Sequence, residues 1–520
     1  MIPFDASGAF HPRTESGELR RLAVRGAAAT VSSGGLMLAV QVISTVVLAR
    51  LVSPADFGVV AMVTTFSLLL SSFGLNGFTE GIIQFEEIDH FTVSNLFWFN
   101  SCAGLVLTIA FAAAGSLLAR FYRNPLVANV AAGLSVGIFI SVLSVVHQAL
   151  LKRAMRFTGV SSLNVFSRSL NTAVAILLAL RGWGYWALVA GIVAQQLAFT
   201  IGSWALCPWI PSLPRRTGKT GAMVRFAAKV YAQFSLSYAT QNIDNLLVGW
   251  RFNAEALGFY KKAYDLFALT AGQVTTPLHN VALATLSRLN QDRVRYARYL
   301  ANSLGIIAFV GMAMSADLTL IGRDVVRLVL GPKWSEAGRI FELFGPGIGV
   351  MLLSSTVGWI HLSIGKPGRW LRWSLLQLIF TSALFLAALH WGPVGIAAAW
   401  SISYWILLIP GFWYAGRPIG FGISSFITAF GRYAAAGLLA GLATAAIIRR
   451  TPFWETSSDT GAALLAIVVV SMLFFALYLG VVIALHGGLA PLRQFASLLR
   501  ELAPPQKAAA PAGETAGGYN

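Results

Sequence analysis

Charged side chains are scarce: Asp, Glu, Lys and Arg make up 11% of the 520 residues, where a soluble domain carries about 25%. With 56% hydrophobic residues and a mean hydropathy of +0.69, there is too little polar side chain to cover a water-facing surface. That excludes a soluble enzyme and a disordered chain. Cysteine is nearly absent. Cys102 and Cys207 both lie in apolar stretches, which excludes a disulfide framework and a zinc-type spacing and makes both small core hydrophobes. Acids are few, 20 against 38 Lys and Arg, for a formal charge of +18. The bases are scattered singly between apolar segments, however, the pattern of membrane-anchoring loops and not of a nucleic-acid surface. No Gly-x-x-x-x-Gly-Lys-[Ser/Thr] and no His-Glu-x-x-His occurs, so nothing points to an ATP-driven pump or a zinc hydrolase. No cofactor or metal is expected. The alternating strands of an outer-membrane barrel are missing as well.

What the chain does have is long apolar runs. A helix needs about 20 such residues to cross ~30 Å of hydrocarbon. Fourteen stretches qualify: 27–48, 58–79, 96–118, 126–149, 159–180, 186–207, 226–249, 258–281, 299–320, 339–361, 371–390, 393–415, 430–448 and 461–486. The expected fold class is therefore an all-α polytopic membrane protein. The seventh and eighth stretches carry charges and amides, so hydropathy alone would return twelve. The first run follows Arg13, Arg20, Arg21 and Arg25 and exceeds the ~7–15 residues of a cleavable signal core, so it is expected to stay in the membrane. With the N-terminus placed in the cytoplasm, 23 of the 38 basic residues fall on inside segments and 11 outside, which predicts two cytoplasmic termini. Trp183, Tyr185, Trp186, Trp209, Trp250, Trp370, Trp373, Trp391, Trp413 and Trp454 stand at span ends as interfacial anchors.

Three local patterns recur in the same order about 200 residues apart. Arg50-LVSPADFG after span 1 is answered by Arg251-FNAEALG after span 7, Lys152-RAMRF by Lys366-PGRWLRW, and Gly182-WGYWALVAG by Trp391-GPVGIAAAW. They predict two parallel six-helix bundles followed by two further helices, a transporter architecture that rocks one half against the other. The expected division is a cytoplasmic segment 1–25, a first bundle 26–208, a basic linker 209–225, a second bundle 226–416, two added helices 417–488 and a disordered cytoplasmic tail 489–520.

An ionisable side chain inside a span costs roughly 2.5–3.5 kcal/mol and by default faces a bundle interior or a wet cavity. Span 7 is polar along one side, with Lys229, Gln233, Ser237, Gln241 and Asn245 at four-residue spacing beside Asn242 and Asp244. Span 5 repeats the pattern with Asn164, Arg168 and Asn171. Span 2 offers Ser72, Asn76 and Glu80, and span 1 offers Gln41. In span 8, Lys261 and Lys262 stand one turn before Asp265, which also fits a plain ion pair near the membrane surface. Ser, Thr, Asn and Gln within spans are otherwise often interhelical contacts worth ~0.6 kcal/mol each. Arg168 comes from bundle 1, and Lys229, Lys261 and Lys262 from bundle 2, so a cavity between the bundles would be net positive and suited to an anion. Glu86, Glu87, Asp89 and His90 form an acid cluster that reads as a solvated connector before a metal site or a glycosyltransferase pair.

Several of these residues carry a resemblance. Leu48 to Met62 (LARLVSPADFGVVAM), FGLNGFTEGIIQ from Phe73, NLFWFN from Asn95, FYRNP from Phe121, ALLKRAMRF from Ala149, QNIDNLLVGW from Gln241, ALGFYKKAYDL from Ala256, LSRLNQD from Leu286 and VLGPKW from Val329 together resemble the Wzx-like polysaccharide flippases, in particular their WzxC-like branch, of the MOP superfamily that also holds the lipid II flippase and MATE exporters. The likeness covers about residues 20–430. It departs at Ala284 and Thr285, where the family often has Pro, and in the last two spans. The resemblance implies a fourteen-helix, MATE- and lipid II flippase-like protein of the bacterial inner membrane. Such a protein moves a polyprenyl-pyrophosphate-linked oligosaccharide to the periplasmic leaflet for exopolysaccharide, capsule or O-antigen synthesis, with a polysaccharide polymerase and a chain-length regulator as partners and without enzymatic activity. Arg168, Lys229, Lys261 and Lys262 would hold the pyrophosphate. Gln41, Asn76, Asn164, Asn171, Gln233, Gln241 and Asn242 would serve the sugar, and Glu80, Asp244 or Asp265 would carry a coupling proton unless the membrane potential drives transport. The rival readings are a MATE-like antiporter, which calls for an acidic cavity, and a membrane glycosyltransferase or polymerase, which calls for an acid pair.

Overall fold

In hydrocarbon every backbone N–H and C=O must be satisfied within the segment, which leaves the helix as the form for apolar runs of this length. The computed structural model describes residues 3–5, 7–10, 16–75, 77–85, 87–215, 220–450, 460–493 and 495. Among these, extended pairing is limited to two isolated bridges, Phe4 with Phe10 and Ala9 with Asp89. The helices are α1 (Ser16–Leu51), α2 (Pro54–Ser71), α3 (Phe78–Gln84), α4 (His90–Phe121), α5 (Leu126–Val142), α6 (Val145–Arg153), α7 (Phe157–Leu180), α8 (Tyr185–Leu206), α9 (Thr220–Arg251), α10 (Ala254–Leu289), α11 (Arg293–Leu330), α12 (Ser335–Ser363), α13 (Pro367–Ala388), α14 (Gly392–Gly416), α15 (Ile423–Arg450) and α16 (Thr460–His486).

Each of the fourteen expected spans coincides with a helix or a broken pair of helices. Among the described residues, eleven segments are long and apolar enough to cross a membrane, and one of them, Gly368–Ile419, takes in α13 from its second residue together with α14. The two long helices outside that set are α9 and α10, whose charges and amides lower their hydropathy as the sequence predicts. Outer faces carry exposed Leu36, Ile109, Leu117, Phe166, Leu439 and Met472, an apolar surface suited to lipid. Cys102 is exposed on α4, contrary to the core reading, while Cys207 is buried after α8, where burial pushes its thiol up to about 11 and leaves a packed group and not a nucleophile.

Two spans depart from a single continuous helix. Span 2 ends at Ser71 and restarts at Phe78, so Ser72 and Glu80 do not lie along one helix face. Gly77 at φ 144° turns the chain, a conformation that side-chain-bearing residues rarely adopt, and Glu80 reaches back to accept from Gly77 N at 2.5 Å. The last carbonyls of α3 are satisfied by Arg153, which donates to Ile82 O and Phe85 O at 2.6 Å each, meeting the acceptors a helix end leaves open. Span 4 is interrupted between α5 and α6. Helix α1 starts at Ser16 and α9 at Thr220.

The recurring patterns occupy matching turns. Ser53 caps α2 by accepting from Asp56 N, and Asn253 caps α10 by accepting from Ala256 N at 2.8 Å. Met155 and Gly365 both take left-handed φ, near 56° and 67°, in the turns before α7 and α13, and Gly184 and Gly392 do the same before α8 and α14. The two bundles meet where α2 crosses α10. A Cβ on Gly58 would strike the Ala254 backbone, and one on Gly258 would strike the Pro54 backbone, so glycine at both positions sets the approach. The junction is fastened from α11–α12: Lys333 Nζ donates to Arg50 O and Val52 O at 2.9 Å each, and Trp334 Nε1 donates to Ala49 O at 2.8 Å. Trp334 is fully buried with the rings of Phe57 and Phe259 against it. Beyond the second bundle, α15 and α16 pack on α11.

Candidate functional site

Beneath the α2–α10 crossing lies a cavity of about 390 Å³ lined from bundle 1 by α2, α5, α7 and α8 and from bundle 2 by α10. Three of the four cations singled out in the sequence meet there: Arg168, Lys261 and Lys262, with Asp265. Lys261 Nζ is bound to Asp265 Oδ1 at 2.6 Å, the i,i+4 pair expected from spacing. Arg168 donates to the Gln41 carboxamide oxygen. Lys262 Nζ sits 3.9 Å from the centroid of the Phe57 ring, a cation–π contact. Among the described residues, no carboxylate lies within ion-pair distance of Arg168 or Lys262. Asn171 completes the wall, donating to Gln195 Oε1 at 2.6 Å. Gln195 and Gln196 also line the cavity. The sequence reading passed over them although two adjacent amides in apolar α8 carry the same signal as those in α7.

Lys229 is not part of this group: it is exposed on α9, as is Gln233, because the helix turns the amide stripe by about 40° at each four-residue step. Further along, Gln241 and Asp244 line a second cavity, of about 440 Å³, within bundle 2 between α9, α12, α13 and α14. Asp244 is buried and accepts from the Tyr260 hydroxyl at 2.8 Å. Asn242 donates to Tyr238 O on its own helix. Asn164 is half-buried on α7, outside the residues lining either cavity. Glu80 spends its carboxylate on the start of α3. Asn76, Glu86 and Trp454 lie outside the described residues.

Trp370 and Trp373, expected at the membrane interface, instead line the bundle 2 cavity. Asp317 on α11 is an embedded acid the sequence reading overlooked; it is 8% exposed and accepts from Ser471 Oγ of α16 at 3.3 Å. Gly133-Leu134-Ser135-Val136-Gly137 has the spacing of a hydrolase nucleophile elbow, yet it lies inside α5, where Ser135 donates to Ala132 O, so there is no strained turn to present a nucleophile. In the acid cluster, Asp89 caps α4 by accepting from Thr92 N at 2.8 Å, and His90 Nδ1 accepts from Trp209 Nε1 at 2.9 Å. These contacts seat α4 and the segment after α8.

A chain of paired bundles around a cationic cleft has relatives. The succinoglycan biosynthesis transport protein ExoT of Rhizobium meliloti (strain 1021) is 24% identical over 338 residues, 65% of this chain and 68% of that protein. The lipopolysaccharide biosynthesis protein WzxC of Escherichia coli (strain K12) is 18% identical over 407 residues, 75% of this chain and 82% of its own. Among solved structures, the lipid II flippase MurJ in an inward closed conformation superimposes with a TM-score of 0.68 at 16% identity, covering 89% of this chain and 99% of that one, which establishes a shared fold. A family model described as polysaccharide biosynthesis protein matches residues 47–339, a stretch that runs from the α1–α2 turn through the bundle junction and all three clustered cations to α12. On that match, over more than half of its length, the chain belongs to the polysaccharide biosynthesis protein family.

Proposed function

We propose that this protein is an inner-membrane flippase that carries a polyprenyl-pyrophosphate-linked oligosaccharide from the cytoplasmic to the periplasmic leaflet for polysaccharide assembly. The observation that carries the reading is the pair Arg168 and Lys262, one from each bundle, facing a common cavity without a carboxylate of their own. Embedded charge is costly and is retained where it meets a partner. Here the missing partner is an anion of about two charges, and phosphate oxygens suit charge-assisted bonds from both side chains. A sugar head cannot cross hydrocarbon bare, since each unpartnered hydroxyl costs several kcal/mol; Asn171, Gln195 and Gln196 offer it hydrogen bonds while the prenyl chain stays in lipid. A net positive cavity also disfavours the drug-cation antiporter reading. The names of ExoT and WzxC, which place those proteins in polysaccharide transport and biosynthesis, agree with the proposal.

The experiment is to delete the gene and follow the lipid-linked repeat unit. Spheroplasts should accumulate it in the cytoplasmic leaflet, and vesicles containing the purified protein should restore its movement. Even distribution of the lipid across both leaflets in the deletion strain rules the flippase out. Orientation has its own test: epitopes inserted at Lys152 and Lys366 should report cytoplasm, and those at Arg181 and Arg450 periplasm. The reverse pattern would overturn the expectation of two cytoplasmic termini.

A further inference from the structure

The bundle 2 cavity differs in chemistry from the cationic one beside it. Among the described residues it contains no Lys or Arg, and its single acid, Asp244, is already engaged by Tyr260. Its walls combine the rings of Trp370, Trp373, Trp400, Tyr264 and Tyr404 with amides and hydroxyls from α9, α12 and α13. Glycines support the two outer indoles. Trp370 lies against Gly358 of α12 and Trp373 against Gly411 of α14, each close enough that a Cβ there would touch the ring. Trp373 also stacks on Tyr414 with planes 22° apart. Among the described residues, Gln241, Gln377 and the Tyr404 hydroxyl make no side-chain hydrogen bond within the protein, so their donors and acceptors are open to the cavity. Thr240 donates to Leu236 O and Ser355 to Leu352 O, which leaves their oxygens as acceptors.

Flat aromatic faces beside neutral amides and hydroxyls match one ligand class, the sugar ring. Its C–H faces carry partial positive charge and lie against the negative face of an aromatic ring, while its equatorial hydroxyls need both donors and acceptors. A phosphate would find no counter-charge here, a cationic drug would find only Asp244, already engaged by Tyr260, and an acyl chain would leave the amides unpaired. A volume of about 440 Å³ is within the range of small-molecule sites. The two cavities adjoin along α10: Tyr264 lines this one, Lys261 and Asp265 line the other, and Lys261 Nζ is 5.5 Å from the Tyr264 ring centroid.

Building on the flippase reading, we infer that the bundle 2 cavity is the saccharide subsite, holding the sugars of the lipid-linked oligosaccharide while Arg168 and Lys262 hold its pyrophosphate. Recognition of the repeat unit then resides in α13 and α14, with Trp373 as platform and Gln377 as hydrogen-bonding residue.

The test uses the full-length protein in nanodiscs and two probes, polyprenyl pyrophosphate without sugar and the glycosylated lipid extracted from the deletion strain. Trp373→Ala should weaken the glycosylated lipid by about tenfold or more, the scale of a lost anchoring contact, and leave the sugar-free lipid unchanged. Trp373→Phe should retain most of the affinity. Where Trp373→Ala does not fold, Gln377→Leu, which keeps the shape and removes the amide, should give the same selective loss. Equal weakening of both probes reduces these residues to packing and overturns the subsite, as does no change in either. Arg168→Ala separates the two readings: it should weaken both probes. If Arg168→Ala is silent while Trp373→Ala still discriminates, the pyrophosphate assignment fails and the saccharide subsite stands.

Discussion

Arg168→Ala combined with Lys262→Ala is expected to abolish polysaccharide export in cells that still contain a folded, membrane-inserted protein at the normal level. Each side chain offers a charge-assisted hydrogen bond to a phosphate, worth about 1.5–3 kcal/mol where the site is shielded from water. Losing both should cost roughly 10²- to 10⁴-fold in affinity for the lipid-linked substrate. The fold should survive, because neither cation is held by a carboxylate that would be left buried and unpaired. Arg168 leaves behind the neutral Gln41 amide, which retains Thr45 Oγ1 as a partner at 3.3 Å. Charge and not shape is the requirement, so Arg168→Lys and Lys262→Arg should each keep partial export. Lys229→Ala, exposed on α9, should export like the parent. Export assayed by polysaccharide staining, with protein quantified by size-exclusion fluorescence, checks all four variants. Full export by the double alanine variant would remove the phosphate role.

The contrast between Lys229 and Lys262 marks how far the sequence carries. Span positions were legible because crossing a bilayer demands about 20 apolar residues in a row, and even α9 and α10 betrayed themselves by amides placed among apolar turns. The breaks in spans 2 and 4 were not legible. Ser72 and Gly77 are tolerated inside many membrane helices, and only the approach of Gly77 to the Ala227 backbone and of Gly74 to Asn100 decides that this helix stops. In the site, embedded charge picks out Arg168, Lys261 and Lys262, which line one cavity. Which face of a helix turns inward is set by its neighbours, and so Lys229 and Gln233 were grouped with residues they do not join. The same reason separates Trp370 and Trp373 from the interfacial role their positions suggest: tryptophan at a span end serves lipid headgroups or a cavity mouth with identical composition, and the glycines that seat it lie on other helices, α12 and α14.

The second large effect is expected at the bundle junction. Lys333→Met together with Trp334→Phe should open the cavity toward the face that carries Lys333. The three hydrogen bonds they remove all end on carbonyls at the C-terminus of α1, acceptors that have no helical donor of their own. Asp56, at the start of α2, lies near enough to Lys333 to add electrostatic attraction. In a transporter that rocks one half against the other, opening of that face would part α1 and α2 from the α11–α12 turn, and these bonds would then stabilise the closed state alone. At about 1–3 kcal/mol each for neutral and charged donors, their loss should favour opening by a factor of at least about 100. A cysteine introduced at Thr64, in the cavity wall, should then react correspondingly faster with a membrane-impermeant maleimide applied from that face. The glycine crossing gives the matching control, since Gly58 and Gly258 set how closely the bundles approach and carry no hydrogen bond of the latch. With them intact, the variant can still close, and transport should become leaky before it becomes inactive. Unchanged labelling with diminished export would mean that Lys333 and Trp334 only brace the fold.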